Sequence, residues 1–351
     1  MITNESSNEQ LFEPARSGNE TKTVYLLGTG GTISSVGHGP LDYTEYGSTG
    51  ERLSLEELVS RIPAGAGLPR LEIEQLLEVG SPSIGPEHWL QIARRINSIF
   101  LDQPEVSGIV VTHGTSTMEE SAYFLNLAVN SAKPVVITGS MRPPTAEGFD
   151  GLVNLIDAIR IASSPDAIGM GVTTVMNNEI QSARDVTKYN TYRVDTFIGG
   201  PFGVLGYVDS DQNVVLYRSP LRRHTYRAEF QTFELESLPR VDVLYAYAGA
   251  DGTLVEATVR SGVKGIVVAG SGAGGGPPQF MTALEKAIAA NVVVVMASHV
   301  GSGRVIQTSR RLAQGFLAAD DLSPKKARIL LMLGLTVTED TDRLQQMFYQ
   351  Y

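Results

Sequence analysis

The sequence predicts an α/β fold, with a larger N-terminal parallel-sheet domain flanked by helices and a smaller C-terminal α/β domain. Three observations carry this expectation. Short continuous apolar runs alternate with stretches whose apolar residues recur every three or four positions; the alternation breaks at a charged, proline-flanked stretch; and it then restarts. Runs that are apolar on both faces need cover on both sides, which crossover helices between parallel strands supply.

Residues 1–22, "MITNESSNEQLFEPARSGNETK", lack the basic and apolar regions of a secretory signal and read as a disordered arm. The strands "TVYLLG", "IEQLLEV", "GIVVTHG", "KPVVITG" and "GMGVTTVM" follow, interleaved with the helical stretches "SLEELVSRI", "PEHWLQIARRINSIF", "STMEESAYFLNLAVN" and "DGLVNLIDAIRIA". Together they make an N-terminal α/β domain of residues 23–217. Residues 218–240, "RSPLRRHTYRAEFQTFELESLPR", have no clear period and read as a linker. The alternation resumes over 241–351 with "VDVLYAYAG", "GIVVAGSG" and "NVVVVMAS", and closes with a final helix opened by Ser323 as N-cap and Pro324 at the first helical position.

Composition narrows the function classes. A chain of 351 residues, 42% hydrophobic and 19% charged, buries a substantial core. Its net charge of −10 argues against a broad grip on nucleic acid or an anionic membrane, leaving small molecules as the expected ligands. No apolar stretch is long enough for a spanning helix, and a cytoplasmic location is expected. Cysteine is absent, which removes disulfides, thiolate catalysis and the strong zinc patterns; the five histidines are scattered. No metal or organic cofactor is expected.

The stretch "LLGTGGTIS", Leu26 to Ser34, ends an apolar run with three glycines. Glycines after a strand let backbone N–H groups converge on a phosphate, but the register is wrong here. A dinucleotide fingerprint from Gly28 needs glycine where Ile33 stands, and no Gly-Lys pair of a P-loop occurs. The spacing Gly270, Gly272, Gly275 is followed by Pro277-Pro278 and lacks an acidic residue after the next strand. The alternatives that remain are a threonine capping a tight turn and a threonine hydroxyl displayed at the carboxyl edge of the sheet, where ligands of open α/β sheets bind.

"VVTHGTSTMEE", Val110 to Glu120, repeats the design of strand, glycine, hydroxyls and helix. Ser116 with Glu119 and Thr117 with Glu120 both fit a capping box. Thr115 precedes these positions, and its backbone N–H at the strand edge suits a developing oxyanion. In "SARDVTKYNT", Lys188 stands among small polar residues. A lysine there is either a solvated charge or, if buried, a proton carrier.

Taken together, "TGGTI" (29–33), "THGTSTMEESAYFL" (112–125), "KPVVITGSMRP" (133–143) and "ARDVTKYNT" (183–191) resemble the bacterial-type L-asparaginase and glutaminase family, and the likeness runs on through "PKKARILLML" near the end. The resemblance implies a nucleophile at Thr32 that attacks a side-chain amide, expels ammonia and leaves an acyl-enzyme for water to hydrolyse. It implies a supporting Thr115 and Lys188, and a tyrosine from a glycine-rich lid after the nucleophile. That tyrosine is Tyr46 by its distance along the chain, with Tyr43 as the alternative. It puts Gly31, Ser81, Pro82, Gly114, Ser116, Ser140 and Gly249 at the substrate site, and it implies a homotetramer whose sites are finished by a neighbouring C-terminal domain.

Three of those positions depart from the family pattern. Ser116 replaces the aspartate that grips the substrate's α-amino group, Pro82 the glutamine or glutamate beside Ser81, and Gly249 the asparagine supplied by a neighbouring subunit. A buried ammonium without a carboxylate partner is costly. The expected function is therefore hydrolysis of a small amide, L-asparagine by default, or of a different small amide through altered head-group recognition. A non-catalytic ligand-binding relative and an amidotransferase subunit are the competing classes.

Overall fold

In a computed structural model the structure describes residues 22–351; the expected arm of residues 1–22 lies outside the described residues up to position 21. The N-terminal half contains β1 (Thr23–Gly28), α1 (Leu55–Ser60), β2 (Arg70–Gln75), α2 (Pro86–Asp102), β3 (Val106–Thr112), α3 (Met118–Ala128), β4 (Val135–Thr138), α4 (Gly151–Ser163), β5 (Val172–Met176), β6 (Glu179–Ser182), β7 (Thr187–Lys188), β8 (Phe197–Ile198), β9 (Gly206–Val208) and β10 (Val214–Leu216). The C-terminal half contains β11 (Val241–Tyr245), α5 (Thr253–Arg260), β12 (Gly265–Gly270), α6 (Pro278–Ala289), β13 (Val293–Ser298), α7 (Ser309–Ala313), β14 (Leu317–Ala318), α8 (Pro324–Gly334) and α9 (Thr341–Gln350).

The larger sheet has the order β10-β9-β6-β5-β4-β3-β1-β2, and the smaller one β11-β12-β13-β14. The smaller sheet is wholly parallel. The larger is parallel from β2 to β5, then continues through antiparallel β6, β9 and β10, which the apolar pattern of the sequence does not reveal. Asn177 and Asn178, both at positive φ, make the tight turn that reverses the chain after β5, a role asparagine tolerates.

Alternation along the central strands feeds two cores. Val24 and Leu26 face a layer with Leu55 of α1 and Leu155 and Ile159 of α4. Tyr25 and Leu27 face a second layer formed with α2 and α3. That second layer continues into Val241, Val267 and Val295 of the smaller sheet and into α8 and α9, so one apolar core joins the two halves. α5 and α6 cover the other face of the smaller sheet. In the α2–α3 layer the buried Trp89 stacks on Phe124 at 5.5 Å between ring centres and donates its indole N–H to Ser121 Oγ at 2.9 Å, so its polar edge is satisfied inside the core.

Other expectations meet corrections. The strand expected over "IEQLLEV" ends at Gln75, because Leu76 and Leu77 turn their amides onto the carbonyl of Gly28 and leave the sheet. The helix opened by Ser323 and Pro324 is not the last; α9 follows, capped by Asp340. Residues 218–240 are irregular, yet Phe230, Thr232, His224 and Thr225 within them are buried. The terminal Tyr351 packs on Phe230 and donates its hydroxyl to Glu229, which holds this stretch against the body.

One buried charge makes stability pH-dependent. Asp157 on α4, 2% exposed, accepts from Asn178 Nδ2 at 2.7 Å, and burial pushes its carboxyl up to about 6. A carboxyl raised in the folded state stabilises fully below its unfolded value and loses that contribution as pH rises through about 6. Asp157→Asn is expected to remove this decline: thermal melts at pH 5 and pH 7 should show the variant gaining on the wild type at the higher pH. An unchanged difference between the two pH values would contradict the assignment.

Candidate functional site

The turn after β1 is built around two contacts that only glycine permits. Gly30 and Gly31 have φ of 96° and 94°, a region L side chains avoid. A Cβ on Gly31 would overlap the backbone of Gly114, and one on Gly114 would lie 2.8 Å from Ser81 Oγ and 3.1 Å from Gly31 Cα. The loops after β1 and β3, adjacent parallel strands, therefore touch backbone to backbone at the carboxyl edge of the sheet.

The two threonines of "TGGT" take different parts. Thr29 is fully buried and donates both its amide and its hydroxyl to Thr112 O, at 3.1 and 2.7 Å, so it ties β1 to β3. Thr32 opens a short 3-10 turn, Thr32–Ser34, and lines a cavity of about 170 Å³. The carbonyl of Gly31, just before it, is held by the hydroxyls of Ser34 and Ser35 at 3.1 and 3.0 Å.

Two hydrogen-bonded pairs meet in the cavity. Thr32 Oγ1 lies 3.0 Å from the Tyr46 hydroxyl, and Lys188 Nζ donates to Thr115 Oγ1 at 2.8 Å. Burial lowers the Lys188 ammonium from the ordinary lysine value, opposed by the charge of Glu119. Tyr43 also lines the cavity, but its hydroxyl donates to Glu147 O at 3.4 Å and the Arg142 guanidinium lies over its ring at 5.5 Å. Of the two tyrosines, Tyr46 is the one paired with Thr32.

The loop that carries both tyrosines is ordered by its own polar groups. Asp42 accepts from the amides of His38, Thr44 and Glu45, and Val36 N donates to Glu51 O at 2.9 Å. Thr49 Oγ1 donates to Val36 O at 2.6 Å, closing the loop that presents Tyr46.

The remaining expected site residues divide. Ser116 is exposed and lines the cavity, and its amide donates to Ser81 Oγ at 3.2 Å; Ser81 is 3% exposed. Gly31 and Gly114 supply the loop contact. Pro82 is exposed and outside the cavity lining. Ser140 is buried and donates to Arg142 O at 2.7 Å, so it shapes the loop carrying the cavity residue Met141. Gly249, at φ 86°, sits in the turn after β11 and does not line the cavity of its own chain.

The capping boxes expected at the start of α3 do not form. Thr117 is the N-cap residue without a side-chain cap, because its hydroxyl donates to Ser81 O at 2.7 Å, and Glu119 turns inward. Glu119 is 1% exposed, accepts from Thr187 Oγ1 at 2.9 Å and pairs with Lys325 of α8. The cap pattern concealed this residue in the sequence. Thr44, Thr191 and Tyr192 complete the lining; Thr191 ends the "ARDVTKYNT" motif and Tyr192 follows it directly, the signal that could have found both. His113, beside the site, is buried with its imidazole lowered to about 4 by desolvation, and its Nδ1 faces Gly114 O at 2.7 Å.

Among the described residues no group of three or more His, Cys, Asp or Glu side chains could hold a metal ion, and no helix is long and apolar enough to cross a membrane.

Comparison with known proteins agrees over nearly the whole described chain. Residues 23–222 match the family model described as "Asparaginase, N-terminal" and residues 240–348 the one described as "Glutaminase/Asparaginase C-terminal domain". The chain is 38% identical to the glutaminase-asparaginase of Pseudomonas fluorescens biotype A, covering 95% of this chain and 92% of that protein. It is 40% identical to L-asparaginase 2 of Bacillus subtilis (strain 168), covering 93% and 86%. A crystal structure of a probable cytoplasmic L-asparaginase from Campylobacter jejuni superposes with a TM-score of 0.90 at 38% identity, covering 94% of this chain and 100% of that one.

Proposed function

The chain belongs to the asparaginase family and is an amidohydrolase of linear amides, and on that premise we propose that Thr32 is its nucleophile and that its grip on a free amino-acid head group is weakened. In this mechanism Thr32 Oγ1 attacks the amide carbon while its proton passes to the Tyr46 hydroxyl, 3.0 Å away, and the phenol's own proton goes on to the departing nitrogen. The tetrahedral oxyanion is held by backbone N–H groups of the Gly31–Thr32 and Gly114–Thr115 turns. Its collapse breaks the C–N bond, the nitrogen takes a proton and leaves as ammonia, and an ester of Thr32 remains. Thr115 and Lys188 then draw a proton from water, which adds to the ester, and the acid departs with Thr32 restored. A desolvated lysine suits that task, since burial favours its neutral form over the ammonium.

One observation carries the altered recognition. The residues lining the cavity include no carboxylate: Lys188 is the one charged side chain among them, and Ser116 offers only a hydroxyl. A substrate α-ammonium in this cavity therefore meets no carboxylate in its lining. Each lost charge-assisted hydrogen bond weakens binding by about 1.5–3 kcal/mol, or roughly ten- to a hundred-fold. L-asparagine remains the default substrate, with amides lacking the α-ammonium gaining relative to it. A homotetramer is in keeping with the exposed aromatic side chains Tyr189, Tyr192, Tyr245 and Tyr247, and a cytoplasmic location with the name of the Campylobacter jejuni relative.

The test is ammonia release from L-asparagine, D-asparagine, L-glutamine and succinamate under the same conditions. Succinamate is expected to match or exceed L-asparagine in kcat/KM. Efficient turnover of L-asparagine at a micromolar KM, with succinamate poor, would overturn the altered recognition.

A further inference from the structure

The motif "PKKARILLML" opens α8, and its two lysines act on the segment that carries Lys188. Lys326, 3% exposed, donates its ammonium to the carbonyls of Arg184 and Val186 at 2.7 and 2.6 Å. Lys325 pairs with Glu119, whose other oxygen accepts from Thr187, the residue next to Lys188. A carboxylate that is 1% exposed is costly unless partnered, and both of its partners belong to this one arrangement.

We propose that Glu119 is a positioning residue for the Lys188–Thr115 pair: it holds Thr187, and with it the strand β7, where Lys188 meets Thr115, while Lys325 of the C-terminal half holds Glu119. The proposal rests on the reading that Lys188 takes a proton through Thr115. Glu119 also acts through charge, because its carboxylate opposes the lowering of the Lys188 ammonium by burial. The other charges around the two groups are Glu120 on α3, Lys325, Lys326 and Arg328 on α8, and Arg184 and Asp185 before β7. α8 thereby couples the smaller sheet to proton transfer in the larger one.

The experiment measures kcat and KM across pH for wild type, Glu119→Gln, Lys325→Met and Lys188→Met, together with their melting temperatures. A base works in its neutral form, so activity rises with pH through its pKa. Glu119→Gln removes the opposing charge, lowers that pKa and should move the acidic limb of kcat to lower pH. Lys325→Met leaves the carboxylate uncompensated and should move the limb to higher pH. Glu119→Gln should also lower kcat about ten-fold, a fraction of the ~10²–10⁴ a positioned base contributes, with KM within about two-fold.

Limbs that coincide with wild type in the folded variants, whatever the melting temperatures, would overturn the proposal. Lys325 is 46% exposed, so its variant serves if Glu119→Gln does not fold. Wild-type kcat in Lys188→Met would instead overturn the role of Lys188, whereas an inactive Lys188→Met with unmoved limbs in the other variants removes the role of Glu119 alone.

Discussion

Thr32→Ala is expected to reduce ammonia release by at least about 10³-fold, the scale at which loss of a covalent nucleophile leaves only binding and electrostatic assistance. The fold should not notice. Thr32 is half-buried, and its hydroxyl has Tyr46 as its partner in the structure, so the melting temperature should stay near the wild-type value. Tyr46→Phe keeps the ring in the lid and removes only the hydroxyl 3.0 Å from Thr32, so it should lower kcat by about 10²-fold, the lower end of general-base effects. Tyr43→Phe should lose far less, because that hydroxyl reaches Glu147 O instead. The measurement is coupled ammonia detection on purified variants. Retention of more than about a tenth of wild-type kcat by Thr32→Ala would rule out the nucleophile, since no uncatalysed route to the product approaches that rate.

Gly31→Ala is the second large effect expected, and it acts on structure and activity together. The alanine would carry φ of 94°, which costs about 1–3 kcal/mol for a non-glycine residue. Its methyl would also overlap the backbone of Gly114, which has no flexible end to yield. Relief requires separating the two loops. Because Thr32 follows Gly31 and Thr115 follows Gly114, separation moves the Thr32–Tyr46 and Lys188–Thr115 pairs apart, and misplacement of about 1 Å can cost ~10²-fold in rate. Gly39→Ala in the lid is the control, since its added methyl meets nothing within 4 Å. Thermal melts and ammonia assays should show Gly31→Ala impaired in both and Gly39→Ala close to wild type. A Gly31→Ala protein that melts and turns over like the wild type would contradict the tight loop contact.

Binary patterning sufficed for the parallel strands and their crossover helices, because a strand buried on both faces must be apolar throughout and a covering helix apolar on one side. It did not reveal β6, β9 and β10. These are three or four residues long, so the pattern has no length over which to show a period, whether the strand is largely buried as β6 is or half-buried as β10 is. The register of "GTGGTIS" excluded a phosphate loop by itself, since that depends only on which residue types stand at fixed positions. It could not separate Thr29 from Thr32. That distinction comes from the strand β3 beside them, whose Thr112 carbonyl takes both donors of one threonine and leaves the other facing the cavity.

What the sequence determined alone is therefore the local chemistry: the turn, the hydroxyls, the lysine and the absence of a carboxylate at Ser116. What only the tertiary structure decided is partnership. Tyr46 and Tyr43 are three residues apart in one loop, and the fold of that loop chooses between them. Glu119 satisfies a cap pattern on paper, yet it is drawn inward by Thr187 and Lys325, which lie 68 and 206 residues further along the chain. Caps are bonds within a single turn and can be read from spacing. A buried carboxylate takes whichever donors the packed core brings to it, and those donors are chosen by contacts far apart in the chain.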